Sequence, residues 1–469
     1  MSQREHIIGS LLGLAIGDAL GAPVEGMKAG HIRQVAGEVT DYLDTRRLWP
    51  ERPSHWRLKG LYTDDTQQAL ALSDVLGDYG HGDPEGLADL WVRLLRADTG
   101  RPAGGHRGAG SNFIQVVRSL GDGNPPMKCG APSAGNGAAM RIAPVGLYYH
   151  DDEAALMENA LSVSLMTHTD PRGIAAAAAL AIAVARLLSV GAALKPQTAA
   201  DISREIQTFT RRAEERLQDD FFHLLHKDLR RSCAYCMSDA LETLPPIVLE
   251  RDHALARATV VKEANRLNPG QPIADANVGF APASVTISLY YALTAPTFFH
   301  GLVDAINDGR DTDTVGAMTG ALLGARFGCD AIPDKWSAGL INREQIRLRG
   351  EFLADGAVNY MIREDFVEME TRLTLEEIHA LTPNIEAVRR RHNAADQKRS
   401  KSRATPANSS PEVEHLGFAP PPEVWLARDD LMPNEKRREK ERRARRRFDW
   451  KETRREIHRM RQDTGDDEH

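Results

Sequence analysis

Tyr62-Thr63-Asp64-Asp65-Thr66-Gln67-Gln68-Ala69-Leu70-Ala71-Leu72 sets two carboxylates between threonines, directly before an apolar run with helical character. A second stretch, Asp311-Thr312-Asp313-Thr314-Val315-Gly316, repeats the arrangement about 250 residues later. Each reads as the N-terminus of a helix with Thr or Asp as its cap. Four carboxylates and several hydroxyls at two helix starts make a poor hydrophobic core. They make a good cage for hard divalent cations, which take oxygen ligands in octahedral geometry. One such cluster is more often a cap or a turn. Two of them, each opening a helix, favour a two-metal site in which the helix starts face each other.

Working outward, helical patterns dominate. Residues 5–20, 64–77, 84–97, 153–166, 173–190, 200–225, 229–243, 283–293, 297–307 and 314–327 read as helices, mostly ending near Gly or Pro. Period-two strands are scarce, so the expectation is an all-α domain over residues 1–375. Within it, 191–275 is richer in charge and carries no recognisable chemistry; it is either an insertion that shapes the rim of a site or a variable set of peripheral helices, and the second reading is favoured. The apolar run Ile174–Leu194 is Ala-rich and interrupted by Arg186, which suits a buried helix better than a membrane span. Ile7–Gly17 mimics the apolar part of a signal peptide, but the basic residues before it are few and Asp18 and Glu25 follow it. The expectation is a cytoplasmic protein with no membrane association.

With 469 residues and 42% hydrophobic content the chain has enough material for a large core. The net charge of -7 is uneven: Glu435–Arg461 holds 14 Lys/Arg against 6 Asp/Glu, which leaves the remainder near -15. Residues 376–433 are expected as a linker, partly disordered, since Ala, Ser, Pro, Lys and Glu dominate from about Asn393 to Pro422. Residues 434–469 are expected as a charged helical or disordered tail, with i,i+4 pairs such as Glu439/Arg443 and Glu441/Arg445. Such a tail is a solvated face or a tether to nucleic acid or an acidic partner. The four cysteines do not form a disulfide framework in a chain of this length. Cys233-Ala-Tyr-Cys236 has the spacing of a redox or zinc half-site but lacks a second pair, so structural thiols are expected.

Three glycine-rich stretches complete the set: Gly13–Gly26, Gly108-Ala-Gly110-Ser111-Asn112, and Gly135-Asn136-Gly137-Ala-Ala-Met140-Arg141. Closely spaced glycines let backbone approach a ligand and present N–H groups to phosphate, and they also serve tight helix packing. None is a Walker loop and none follows a strand, which argues against a Rossmann unit. Asp64-Asp65 lacks the third carboxylate of the terpenoid-synthase motif, and Asp311-x-Asp313 lacks the spacing of an EF-hand loop.

Gly17-Asp18-Ala-Leu-Gly21, Tyr62–Thr66, Gly135–Arg141, Thr167-His168 and Asp308–Gly316 occur in the order seen in the ADP-ribosylglycohydrolases, which this chain resembles from about residue 5 to 330. Arg57-Leu-Lys-Gly60 looks more like the branch containing dinitrogenase reductase-activating glycohydrolase. The resemblance implies an all-α orthogonal multi-helix bundle with a central cleft for two Mg2+ ions, or Mn2+, and a charged C-terminal extension. It implies metal ligation by Thr63, Asp64, Asp65, Asp311, Asp313 and Thr314, and catalysis by Asp64, Asp65, Asp313 and a completing carboxylate. Glu25 ranks ahead of Glu38 and Asp41 for that last role. Asp18, Gly110, Ser111, Gly135, Asn136, Gly137, Met140, Arg141 and His168 are the expected substrate-binding residues. Arg310 stands where the family often has glycine, and would narrow the pocket or contact diphosphate. The implied function is metal-dependent hydrolysis of the N- or O-glycosidic bond joining ADP-ribose to a modified protein side chain, arginine favoured. Alternatives are an ADP-ribose-binding or toxin-immunity protein paired with a transferase or toxin, and a hydrolase of ADP-ribosylated nucleic acid. Residues beyond 375 are not explained by the resemblance.

Overall fold

The computed structural model describes residues 2–355 and 363–403. Contacts group the chain into a compact unit, Met1–Lys398, and a second, Arg399–His469. The elements that position the site are α1 (Gln3–Gly21), α2 (Asp64–Tyr79), α3 (Pro171–Leu187), α4 (Pro196–Asp219), α5 (Ala281–Thr294), α6 (Thr312–Phe327), α7 (Arg343–Asp355) and α8 (Phe366–Arg403). Among the described residues there is no strand, only three isolated bridges, two of which join loops around the cleft: Ala131 to His168 and Gly135 to Phe280. The fold is all-α.

α1, α3, α5 and α6 form the centre. They are apolar or small on nearly every face, as a helix surrounded by others must be; α6 is buried along its whole length and α3 everywhere except Arg186. The stretch Gln3–Val24 is long and apolar enough to cross a membrane by length and composition, and its most apolar window is wholly buried inside the protein.

The axis of the core is an antiparallel pair, α1 on α6, meeting through small residues spaced by four. Gly9 faces Gly324, Gly13 faces Gly320, Gly17 faces Gly316, and Gly21 faces Thr312. At each of these α1 glycines a β-carbon would collide with backbone, that of α6 at Gly13, Gly17 and Gly21 and that of Gly328 and Cys329 just after it at Gly9. The glycines therefore bring two backbones into contact, at an intrinsic helix cost of about 1 kcal/mol each. Hydroxyls hook across the same seam: Ser10 donates to the Ala321 carbonyl at 2.8 Å and Thr312 to the Gly21 carbonyl at 2.8 Å. This contact places the C-terminal end of α1 beside the start of α6, and so Asp18 and Glu25 beside Asp311 and Asp313.

Two expectations need correction. The helix expected at 229–243 is hydrogen-bonded turns followed by a short helix, Cys236–Leu241. The domain boundary expected at 375 falls inside α8, so residues 376–398 belong to the compact unit and are not linker. The polar composition of α8 hides an inward stripe: Met369, Leu373, Leu381 and Val388 are buried, and so are the polar Glu370, Thr374 and Glu377. The remainder of the expected linker, 404–433, and the charged tail, 434–469, lie outside the described residues.

Segment 191–275 packs α4 and shorter helices against α3 and α5, as peripheral helices would. Its edges reach further: Leu229 and residues 268–273 line a groove that adjoins the cleft. Cys233 and Cys236 are buried there and unbridged.

Candidate active site

The starts of α2 and α6 face one cavity of about 260 Å3. Asp64, Asp65, Asp311, Asp313, Thr314 and Glu25 form its acidic wall, and Gly108, Gly110, Gly135, Asn136, Gly137, Met140, Arg141 and His168 line the rest. Glu25 reaches it because the turn after α1 is stitched to the approach to α6: Gly26 donates its N–H to the Arg310 carbonyl at 2.7 Å, and Arg310 donates to the Met27 carbonyl at 2.6 Å. The Gly135 loop is tied to the segment leading into α5, with Asn136 N–H on the Gly279 carbonyl at 3.1 Å. Asn136 also donates its side-chain amide to Asp311 at 2.8 Å, bridging the glycine loop and the acidic wall.

Three expected residues sit elsewhere. Asp18 is fully buried and does not line the cavity. Its carboxylate accepts from the backbone N–H of Thr63 (2.9 Å) and Thr66 (3.0 Å) and from their hydroxyls (2.9 and 2.6 Å). It is the cap of α2, supplied from α1 and satisfying N–H groups that the first turn leaves free. Thr63 gives its hydroxyl to Asp18, with a longer contact to Asp65 at 3.3 Å, and stays behind the cavity wall. Neither Thr63 nor Asp311 makes a capping hydrogen bond with its own side chain. Ser111, exposed on the first turn of its helix, is also outside the lining. Arg310 neither narrows the cavity nor lines it; its guanidinium binds Asp275 at 3.2 Å. Gln68, Asn112, Phe113, Ser133 and Thr167 line the cavity without having been expected to.

The electrostatics are those of crowded, buried acid. Burial first, then Asp18 and Glu25, push Asp64 up to about 7. Burial and neighbouring carboxylates hold Asp65 and Asp313 well above the usual range and raise Glu25, and burial raises Asp311. Among the described residues one guanidinium lines the cavity, Arg141, which burial pushes down to about 9. It is spent on Gln68 (2.9 Å), the Gly137 carbonyl (2.8 Å) and Thr167 (2.5 Å). Thr167, accepting from Arg141, also meets His168 Nδ1 at 2.8 Å. The opposite edge of that ring meets the Gly135 carbonyl, so His168 is a neutral strut of the glycine loop, with burial pushing it down to about 3.

Do these residues suit divalent cations? Among the described residues, no three Asp, Glu, His or Cys side chains close on a single point as they stand. The acids instead face the cavity from separate elements, all offering hard oxygen donors. Asp65 Oδ1 is buried with no hydrogen-bond partner. An orphaned carboxylate oxygen costs several kcal/mol in such surroundings unless a proton or a cation compensates it. The donor set fits Mg2+ or Mn2+ and would suit soft metals poorly.

A family model described as ADP-ribosylglycohydrolase matches residues 1–366. The chain belongs to the ADP-ribosylglycohydrolase family. Among its relatives, the ADP-ribosyl-[dinitrogen reductase] glycohydrolase of Rhodospirillum rubrum is 28% identical over 355 residues, covering 74% of this chain and 94% of that one. ADP-ribosylhydrolase ARH3 of Bos taurus is 28% identical over 348 residues, 70% of this chain and 86% of its own. An uncharacterized protein of Archaeoglobus fulgidus is 29% identical over 341 residues, 73% and 93% of the two chains. Equal identity to the first two leaves the branch undivided by overall similarity. A solved ADP-ribosylglycohydrolase-related protein complex superposes with a TM-score of 0.49 at 27% identity, over 76% of this chain and 99% of its own. As an ADP-ribosylglycohydrolase the protein is a hydrolase of ADP-ribose linkages.

Proposed function

We propose that this ADP-ribosylglycohydrolase releases ADP-ribose from a modified protein side chain, with arginine as the favoured acceptor, and that it does so with two divalent cations, Mg2+ or Mn2+. The observation that carries the reading is the convergence of five carboxylates from three elements on one cavity whose remaining wall sets Gly108, Gly110, Gly135 and Gly137 among side chains such as Asn136, Met140 and Arg141. Asp64, Asp65, Asp311, Asp313 and Thr314 would hold the ions, which, when bound, supply charge stabilisation and orient the ribose hydroxyls. The glycine loops at 108–110 and 135–137 leave backbone open to diphosphate. Asn136 ties the 135–137 loop to Asp311, and Arg141 holds the Gly137 carbonyl of the same loop. Glu25, the one cavity carboxylate outside the two helix starts, accepts the proton of the water that attacks C1″ as the glycosidic bond breaks through an oxocarbenium-like transition state. An acidic cavity suits a cationic acceptor such as a guanidinium. The name of the Rhodospirillum rubrum relative, which denotes a protein acceptor, supports a protein substrate here.

The partners expected through the tail, a toxin or transferase or nucleic acid, rest on residues 404–469, outside the described residues. The deciding assay measures ADP-ribose release from arginine-, serine- and nucleic-acid-linked substrates, with Mg2+ and then with chelator. Metal-dependent release from the arginine-linked protein is expected. Release that favours another linkage would reassign the acceptor, and release unaffected by chelator would remove the metals from the proposal.

A further inference from the structure

Behind the cavity wall, on the side away from the ligand space, three side chains converge on one carboxylate from α8. Glu370 is fully buried. It accepts from the Tyr62 hydroxyl at 2.6 Å and the Gln67 amide at 2.7 Å, and pairs with the Arg107 guanidinium at 2.8 Å. The same groups are cross-linked. Gln67 accepts the Arg107 backbone N–H at 2.9 Å and donates to the Gly105 carbonyl at 3.1 Å. One turn along α8, Thr374 donates to that carbonyl at 2.8 Å and accepts from Arg107 at 3.1 Å. The Arg107 guanidinium also lies over the Tyr62 ring, 5.0 Å from its centre.

Each partner of Glu370 adjoins a part of the cavity wall. Tyr62 directly precedes Thr63, Asp64 and Asp65. Gln67 sits in the first turn of α2, beside Gln68, which lines the cavity. Arg107 is followed by Gly108, whose α-carbon packs so closely on Thr63 and Asp64 that a β-carbon there would lie 3.2 Å from Thr63 Cβ and 3.3 Å from Asp64 Oδ1. One carboxylate thus holds the acidic helix start and the glycine loop at once. It belongs to a helix that begins where the family match ends, at residue 366.

We infer that Glu370 is a positioning residue of the cleft: it clamps Gln67 and Arg107, and through them sets the Asp64–Asp65 helix start against the Gly108–Gly110 loop. α8 is on this account part of the active-site architecture. The inference rests on the cleft binding divalent cations and ADP-ribose, as proposed above. A buried pair also sets a charge condition. Glu370 and Arg107 neutralise one another behind the wall; removing the carboxylate leaves an uncompensated buried charge there.

The test compares Glu370→Gln with Leu381→Ala, which weakens α8 docking by thinning the Trp56, Leu381 and Val388 cluster without touching the cleft. Mg2+ and ADP-ribose dissociation constants are read by calorimetry, with kcat, KM and melting temperature alongside. Partners that hold a metal ligand directly are worth about 10–100-fold in metal affinity, and Glu370, one contact further out through Tyr62, Gln67 and Arg107, is placed at the low end of that range. Glu370→Gln is expected to weaken Mg2+ and ADP-ribose binding by about tenfold, with Glu370→Asp recovering part of the loss. Leu381→Ala is expected to lower the melting temperature while leaving both constants within about twofold of wild type. If Glu370→Gln does not fold, Tyr62→Phe carries the test: it removes one hydrogen bond to Glu370 and keeps the ion pair, and is expected to weaken both constants about threefold. Wild-type constants in Glu370→Gln (or in Tyr62→Phe when only that variant folds), or an equal loss in Leu381→Ala, overturn the inference alone. A wild-type protein that binds neither Mg2+ nor ADP-ribose overturns the reading of the site and this inference with it.

Discussion

Asp18 shows how one residue can belong to a motif and yet stand apart from the chemistry. It lies in a family-like Gly-Asp-Ala-Leu-Gly stretch, and the sequence offered no way to separate a ligand-facing carboxylate from a capping one. The donors that decide it, on Thr63 and Thr66, are some 45 residues away in the chain. Asp64, Asp65, Asp311, Asp313 and Thr314 were legible because their spacing and position before apolar runs survive in one dimension. Asn112, Phe113 and Ser133 were not, since nothing local marks a residue that merely borders a cavity. Asp18→Ala leaves buried N–H groups of α2 unpaired and should cost about 2–4 kcal/mol of stability, measurable by chemical denaturation. A second residue-scale prediction concerns Glu214 on α4. Burial pushes it up to about 7, against the hydrogen bonds from Ser238 and from the Met237 N–H. A raised carboxyl stabilises the fold fully below its unfolded pKa, and that contribution is lost as pH rises through the folded value. Relative to Glu214→Gln, the wild-type protein should lose about 2–3 kcal/mol between roughly pH 4.5 and 7, seen as a difference in denaturation midpoints.

For whole elements, the sequence told most where periodicity was strong. α1, α2 and α6 were expected at 5–20, 64–77 and 314–327 and are observed at Gln3–Gly21, Asp64–Tyr79 and Thr312–Phe327. The glycines of α1 were harder to read. Tight packing and ligand approach both call for glycine, and the partner helix lies 300 residues away. The α1–α6 contact resolves the choice for Gly13 and Gly17 in favour of packing. Gly17→Ala drives a methyl into the Gly316 carbonyl and should cost about 3 kcal/mol or prevent folding. Gly30, also helical, has open space where a methyl would go, and Gly30→Ala should leave stability unchanged or raise it by up to about 1 kcal/mol. Thermal unfolding of the pair tests the zipper, and equal melting temperatures would refute it. α8 was missed because its buried positions alternate with charged ones and composition averages both away. Its buried polar side chains, Glu370, Thr374 and Glu377, would have weighed against a core helix in any case.

Across the whole molecule, the contact of α1 with α6 brings the two acidic clusters to one cavity, and α2 is held there by a cap from α1 in front and by Glu370 of α8 behind. The resulting concentration of buried carboxylates disfavours their charged forms, and on the proposed two-cation reading bound cations would relieve that strain and tie function to the same charges. Removing one of them should therefore separate binding from stability: Asp313→Asn relieves repulsion from Glu25, Asp65 and Asp311 while weakening the cation site. The most direct measurement is a calorimetric titration of Mg2+ into chelator-stripped wild-type and Asp313→Asn protein. Two equivalents bound per wild-type chain, with at least one lost in a variant that melts no lower than wild type in chelator, is the predicted result. Unchanged Mg2+ binding in the variant, or none in the wild-type protein, would contradict a two-cation active site.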